Sequence, residues 1–190
     1  LMAVCWLVVK GLLQTQSDGS TRMMDFFDEQ RMSRLYEKFI LEYYRREHPQ
    51  LSASASFIKW ALDDEASEGL RTDITLSARS RVLIIDAKYY AATMQSNFDK
   101  RTVHSGNLYQ IFAYVKNKQI AFERVGENVE VSGMLLYAAT DEDVQPDFAY
   151  RMSGNRIGAT TLNLDRPFEE IRAQLDSIAD TLTGPSTPAS

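Results

Sequence analysis

The sequence predicts an α/β protein built around one hydrophobic core. Apolar residues make up 44% of the 190 residues, which is enough for a single domain of ordinary size. Stretches in which apolar side chains recur every three or four residues alternate with shorter runs of branched and aromatic residues. The first pattern is typical of helices that pack one face on a core, and the second is typical of strands.

The amino-terminal quarter is predicted to be helical. Residues 1–25 are expected to form an apolar helix and a polar connection, the end of a truncated preceding region, and are too interrupted by Lys10 and Gly11 to span a membrane. A longer helix follows and ends before Pro49. Its apolar stripe consists of Met32, Leu35, Tyr36, Phe39, Ile40, Tyr43 and Tyr44.

The middle of the chain reads as strands. Residues 57–62 are expected to form a strand, followed by an acidic surface loop over residues 63–69. Two runs, residues 70–76 and 81–90, flank the polar residues 77–80 and predict a β-hairpin. A loop over residues 91–101 then leads to the next helix.

The remaining elements complete the α/β pattern. The second long helix is capped by Thr102 or Ser105 and runs to about Lys118. Three strands are expected over residues 129–139, 148–152 and 156–164, the last two as a hairpin. A last helix, with Asp165 as its cap and Pro167 in its first turn, precedes a disordered tail over residues 184–190.

Charge and composition exclude several kinds of site. The chain has 21 basic and 26 acidic residues, so no overall positive field indicates nucleic-acid binding by this chain alone. The single Cys5 excludes an internal disulfide and a cysteine zinc site, and two histidines are too few for a histidine metal cluster. We expect a cytoplasmic protein without membrane association.

Three charged residues meet where an apolar strand ends. Alternate residues of a strand share a face, so Asp86 and Lys88 point the same way. Closing the hairpin through a two- or four-residue loop puts Asp73 on that face too, directly opposite Asp86 or diagonal to it. A solvated salt-bridge cluster is the ordinary interpretation of such charges. Two adjacent carboxylates repel each other, however, unless a cation lies between them.

The residue types indicate which cation would fit. Carboxylate oxygens without histidine or thiolate suit Mg²⁺, with Mn²⁺ as the alternative ion. Hydrolysis of a phosphodiester uses such a set, because the metal polarises the phosphoryl oxygen and activates a water while a lysine balances developing charge. The cluster therefore predicts metal-dependent phosphodiester hydrolysis.

The same residues resemble a known family. Asp73, then Asp86-Ala87-Lys88, with Glu37 on a preceding helix, resembles the PD-(D/E)XK nuclease superfamily. The stretches LYEKFILEYY, RTDITL, LIIDAKYY, SGNLYQIFAYV and GMLLYA resemble the nuclease region of the McrC subunits of McrBC methylcytosine-dependent restriction systems. The resemblance implies a restriction-endonuclease-like fold over residues 26–183, a mixed β-sheet flanked by α-helices.

The resemblance also implies roles for individual residues. Asp73 and Asp86 would be metal ligands, with the Ala87 carbonyl as a third ligand, and Lys88 would be the catalytic lysine. Glu37 matches a helical glutamate that reaches the metal through water. A surface ion pair between Glu37 and one of its helical neighbours, Arg34 or Lys38, is the alternative.

Further residues would support the site. Gln110 and Tyr114 match the Gln-x-x-x-Tyr element of nucleases related to RecB, and they share a helical face with Asn107. They would order the site or hold DNA, and ordinary helix packing is the alternative. Lys100 and Arg101 are expected to contact the DNA backbone.

The function implied by the resemblance is a Mg²⁺-dependent endonuclease that cuts double-stranded modified DNA. It would work with an AAA+ GTPase subunit, McrB, and GTP would bind only through that partner. Two alternatives remain open at this point. One is a non-cutting subunit that stimulates the partner's GTP hydrolysis, and the other is a RecB-like nuclease of repair or defence.

Overall fold

A computed structural model of the protein describes residues 22–62, 68–90, 94–97, 100–141 and 143–184. These residues form three α-helices and nine strands. The helices are α1 (Arg22–Glu47), α2 (Ser105–Arg124) and α3 (Phe168–Thr183). The strands are β1 (Phe57–Lys59), β2 (Gly69–Arg71), β3 (Ile74–Ala78), β4 (Arg81–Lys88), β5 (Met94–Asn97), β6 (Lys100–Val103), β7 (Glu130–Ala138), β8 (Phe148–Met152) and β9 (Asn155–Leu162).

The central sheet is mixed and has five strands in the order β3-β4-β7-β9-β8. The inner neighbours β4 and β7 are parallel, as are β7 and β9, whereas the two edge strands pair antiparallel. Parallel neighbours need a crossover connection, and between β4 and β7 this connection contains α2. Two smaller pairs, β1 with β2 and β5 with β6, lie outside this sheet.

Helices cover both faces of the sheet. The buried residues of α1 and α3 form one hydrophobic cluster with Leu83, Ile85 and Ala87 of β4. The buried residues of α2 form a second cluster with Val82 and Ile84, the alternate positions of the same strand. The prediction of a mixed sheet flanked by helices is confirmed.

The predicted hairpin is present, but its first strand is shorter than expected. Residues 70–76 do not form one strand, because β2 pairs with β1 while β3 pairs with β4. Between β2 and β3 the buried Thr72 hydroxyl donates to the Ser56 carbonyl and accepts from the Ser56 amide. These two hydrogen bonds fix the backbone where the strand is interrupted. A two-residue turn joins β3 to β4, so that Ala78 pairs with Arg81.

Other boundaries also differ from the predictions. The prediction of a loop over residues 91–101 is wrong for residues 94–97 and 100–101, because these residues lie in the antiparallel strands β5 and β6. Helix α2 continues to Arg124, past the expected end near Lys118, and Phe122 in the added turn packs against the core.

The two predicted helix caps are wrong as well. His104 occupies the N-cap of α2 without a side-chain capping bond, and Thr102 lies in β6. Pro167 is the N-cap of α3, in place of the predicted Asp165, because its extended backbone (ψ 147°) ends the preceding segment. In both cases the N-cap residue has an extended backbone, and its carbonyl accepts the first hydrogen bonds of the helix.

Some predictions lie wholly or partly outside the described residues. They concern the apolar helix within residues 1–21, the acidic loop at residues 63–67 and the tail at residues 185–190. The domain limits at residues 25 and 183 stay predictions. None of the helices within the described ranges is long and apolar enough to cross a membrane.

Candidate active site

The candidate site is built on the end of the central strand β4. Residues 82–87 of this strand are buried because β4 is paired on both edges and covered on both faces. The Asp86 side chain is only 1% exposed, and its Oδ2 lies 2.8 Å from Nζ of Lys88, whose side chain is 14% exposed. A neighbouring cation offsets part of the cost of burying a carboxylate this deeply.

Asp73 joins this pair from the residue that precedes β3. The observed register pairs Ile74 with Ile85, so one further step along the hairpin brings Asp73 opposite Asp86. Asp73 Oδ2 accepts a hydrogen bond from the Ala87 amide at 2.9 Å. Because the amide and carbonyl of a strand residue point to the same edge, the Ala87 carbonyl also lies on the Asp73 side.

The electrostatics of the cluster favour an added cation. Burial, followed by repulsion from Asp86 and Glu37, raises the pKa of Asp73 to about 8. Burial alone would lower the pKa of Lys88, but the Asp86 carboxylate more than offsets it, and the Lys88 pKa is raised. Without a metal, Asp73 therefore keeps a proton at neutral pH while Lys88 stays charged.

The donor set fits a hard divalent cation. Asp86 Oδ2 is fully buried, and its contact with the Lys88 ammonium at 2.8 Å has poor hydrogen-bond geometry, so this oxygen can still accept a further ligand. No group of three His, Cys, Asp or Glu side chains with metal-ligand spacing occurs in the described ranges. The available set is thus two carboxylates and the Ala87 carbonyl, which suits Mg²⁺, because Mg²⁺ retains several waters.

Glu37 approaches the cluster from α1, which packs on the face of the sheet opposite to α2. Its Oε1 accepts a hydrogen bond from Ser33 at 3.1 Å. Burial raises the pKa of Glu37, and the carboxylate also interacts electrostatically with Lys88 and Asp86. Within the described part of the chain, no ion pair within 4 Å joins Glu37 to Arg34 or Lys38, although the Arg34 charge also acts on the Glu37 carboxylate, so its role at the site stays a prediction.

Gln110 and Tyr114 of α2 hold Lys88 in place. The Lys88 ammonium donates to Gln110 Oε1 at 3.0 Å, and Gln110 Nε2 donates to the Tyr114 hydroxyl at 2.8 Å. That hydroxyl donates in turn to the Arg71 carbonyl at 3.0 Å. The chain of contacts ties the ammonium to the segment that carries Asp73, which simple helix packing would not do.

Asn107 belongs to a neighbouring network of tyrosines. Its Nδ2 donates to the Tyr137 hydroxyl at 2.9 Å, and its Oδ1 accepts from the Tyr90 hydroxyl at 3.4 Å. Sequence reasoning missed both tyrosines. The strand alternation that joins Asp86 to Lys88 continues to Tyr90, but Tyr137 lies beside Lys88 only through the parallel pairing of β4 with β7.

The remaining predicted contacts are less defined. Lys100 and Arg101 lie in β6, and their side chains are outside the described part of the structure, so a role in DNA contact stays a prediction. His104 is half-buried, and its ring centroid lies 5.7 Å from that of Tyr90. It therefore packs beside the tyrosine network.

Comparison with known proteins identifies relatives of this chain. The family model for the McrBC 5-methylcytosine restriction system component matches residues 1–137. The chain is 32% identical over 187 residues to the Type IV methyl-directed restriction enzyme EcoKMcrBC of Escherichia coli, and the match covers 95% of this chain. The chain spans about half (52%) of the length of that relative.

A solved structure shares the fold. It is described as a refined half-complex from the tetradecameric assembly of Thermococcus gammatolerans McrB AAA+ hexamers with bound McrC. The TM-score is 0.53 at 18% identity, over 77% of this chain and 33% of that chain. At this identity the likeness concerns the fold alone.

Proposed function

The chain belongs to the McrBC 5-methylcytosine restriction system component family, and from that premise we propose that it is the DNA-cutting subunit of such a system. The proposed reaction is Mg²⁺-dependent hydrolysis of phosphodiester bonds in double-stranded modified DNA. The observation that carries the proposal is the joint position of Asp73, Asp86 and Lys88: Asp86 lies 2.8 Å from the Lys88 ammonium, and Asp73 accepts a hydrogen bond from the Ala87 amide beside it.

Each residue of the site has a part in this reaction. Asp73, Asp86 and the Ala87 carbonyl would hold Mg²⁺, with Glu37 reaching the ion through a water. The bound ion supplies polarisation of the phosphoryl oxygen and a water of lowered pKa. Because Asp73 has a raised pKa without the ion, a cation held there would displace its proton.

Lys88 acts on the charge that develops during cleavage. Asp86 keeps its ammonium protonated, and Gln110 fixes its direction, so that one N–H can point to the phosphoryl oxygen or to the attacking water. A donor held in position in a buried site stabilises the transition state without reorganising at the moment of reaction. Tyr114 supports this geometry through Gln110.

A partner would recognise the DNA and drive the cutting subunit. The similar solved structure contains McrB AAA+ hexamers with bound McrC, and the curated relative is a methyl-directed restriction enzyme. We extend both statements to this chain: an AAA+ GTPase subunit of the McrB kind binds GTP and modified DNA. The net charge of −5 supports this division, since most affinity for DNA would reside in the partner.

The test is cutting of methylated plasmid DNA with the partner subunit, GTP and Mg²⁺ supplied. Asp86→Ala and Lys88→Ala should abolish cutting, while complex assembly and GTP hydrolysis persist. Lys59→Ala, at an exposed position on β1, is the matched control and should cut normally. Cutting by either site variant would refute the assignment, and it would favour a site elsewhere in the complex.

A further inference from the structure

A groove runs past the candidate active site between α1 and the segment that precedes β3. Its volume is about 400 Å³, and Glu37 and Asp73 line it. Three cationic side chains line the same groove: Arg34 and Lys38 from α1 and Arg71 from the end of β2. Sequence reasoning did not group these three residues, because Arg71 reaches α1 only through the fold.

The three cations are available for a ligand. All three residues are exposed, and among the residues that the structure describes none of them forms an ion pair within 4 Å, although Arg34 interacts at longer range with Glu37. Other arginines of the same helix do pair, since Arg45 contacts Glu42 and Arg46 contacts Glu47. What sets these three cations apart is that they line one groove together with Glu37 and Asp73.

Hydrogen bonds hold the backbone beside the groove, so the point from which the Arg71 side chain extends is defined. The Arg71 carbonyl accepts from the Tyr114 hydroxyl at 3.0 Å, and the amide of the next residue, Thr72, donates to the Ser56 carbonyl at 2.9 Å. Arg34 and Lys38 are one helical turn apart, roughly 6 Å along the α1 axis. One DNA strand carries a phosphate about every 3.4 Å along the duplex axis, so two flexible side chains about 6 Å apart can reach phosphates one or two steps apart on one strand.

We propose that Arg34, Lys38 and Arg71 bind the phosphates that flank the scissile phosphate on the strand being cut. The proposal rests on the proposed function, since it places the scissile phosphate beside Asp73 and Glu37. These two carboxylates repel a phosphate unless a metal ion lies between them, whereas the three cations attract its neighbours. Contacts of this kind position the strand and read no sequence, which leaves recognition to the partner.

The experiment measures binding of a fluorescein-labelled DNA duplex to the purified full chain by anisotropy, with Ca²⁺ in place of Mg²⁺, over a range of salt concentrations. Each lost phosphate contact reduces the slope of log K against log salt by about 0.9. We expect the slope to fall by about 2 to 3 and the affinity at low salt to fall at least tenfold in the triple variant, which carries Arg34→Gln, Lys38→Gln and Arg71→Gln.

A control variant removes the same charge elsewhere on the surface. It carries Arg46→Gln, Lys59→Gln and Arg166→Gln, all at exposed positions away from the groove. This variant should keep the wild-type slope to within about 0.5, because only charges near the phosphates release counterions. Thermal melting of all three proteins checks that the fold is unchanged.

The outcomes separate this proposal from the proposed function. Equal slopes for the wild type and the groove variant, or a wild-type chain that does not bind the duplex even at low salt, overturn the groove assignment. A wild-type protein that binds with the expected slope but never cuts with the partner, GTP and Mg²⁺ overturns the proposed function and leaves the groove assignment standing.

Discussion

Replacing Asp73 by asparagine should stabilise the metal-free protein at alkaline pH. The folded pKa of Asp73, about 8, lies above the value of 3.8 of an unperturbed aspartate, so the folded state binds its proton more tightly than the unfolded state. Stability is therefore greatest at low pH and is lost as the pH rises from about 4 through 8. An asparagine side chain cannot ionise, so the Asp73→Asn variant should escape this loss.

The size of this stabilisation follows from the difference between the two pKa values of Asp73. Each unit of difference between the folded and unfolded pKa changes the free energy of unfolding by about 1.4 kcal/mol. Part of the repulsion relaxes when water enters between Asp73 and Asp86. We therefore expect the Asp73→Asn variant to gain about 2 kcal/mol in free energy of unfolding at pH 9. The gain should shrink steadily as the pH falls and vanish below about pH 4, where Asp73 is protonated in both the folded and the unfolded state. The asparagine side-chain oxygen can still accept from the Ala87 amide, and the hydrogen bond is kept.

The assay is urea denaturation in the presence of EDTA, at pH values from 5 to 9. Asp180→Asn, at an exposed position of α3, is the control and should follow the wild-type pH dependence. Addition of Mg²⁺ at pH 8 should stabilise the wild type by about 2.7 kcal/mol when the ion is at 100 times its Kd, and should have little effect on the Asp73→Asn variant. Identical pH dependence for the wild type and the Asp73→Asn variant would refute the electrostatic reasoning.

Two further predictions concern helix α2. Gln110→Ala should lower the cutting rate by about 10- to 100-fold with Mg²⁺ affinity unchanged, because Lys88 loses the acceptor that directs it; an unchanged single-turnover rate would contradict this. Gly133→Ala should lower the free energy of unfolding by about 1 to 3 kcal/mol. A Cβ at this position would lie 2.7 Å from Ile111 Cγ1 and Val115 Cγ2, so it would displace α2 from the sheet. Adding Val115→Ala should recover part of the loss in urea denaturation, and no recovery would show that helix displacement is not the cause.

Local periodicity was enough to predict the core of the site. The alternation along β4 put Asp86 and Lys88 on one face, and the observed hairpin register is the one of the two predicted that sets Asp73 opposite Asp86. The helical spacing of Gln110 and Tyr114 likewise put them on one face of α2. These relations depend only on residues close together in the chain.

Features that depend on distant pairing were not predictable. Tyr137 lies beside Lys88 because β7 runs parallel to β4, and a parallel crossover leaves no register signal in the sequence. The break at Thr72 comes from hydrogen bonds to Ser56, which lies 16 positions away. The close approach of α2 depends on Gly133, whose missing side chain leaves space for Ile111.

The most direct test is single-turnover cutting of methylated plasmid DNA by the assembled complex while Mg²⁺ is titrated into chelator-treated protein. We predict no cutting without the ion and a saturable return of cutting as it is added. Asp86→Asn should remain inactive at every Mg²⁺ concentration while the partner still hydrolyses GTP. Cutting by the chelator-treated protein, or by the Asp86→Asn complex, would contradict the assignment of Asp73 and Asp86 as the ligands of a catalytic metal.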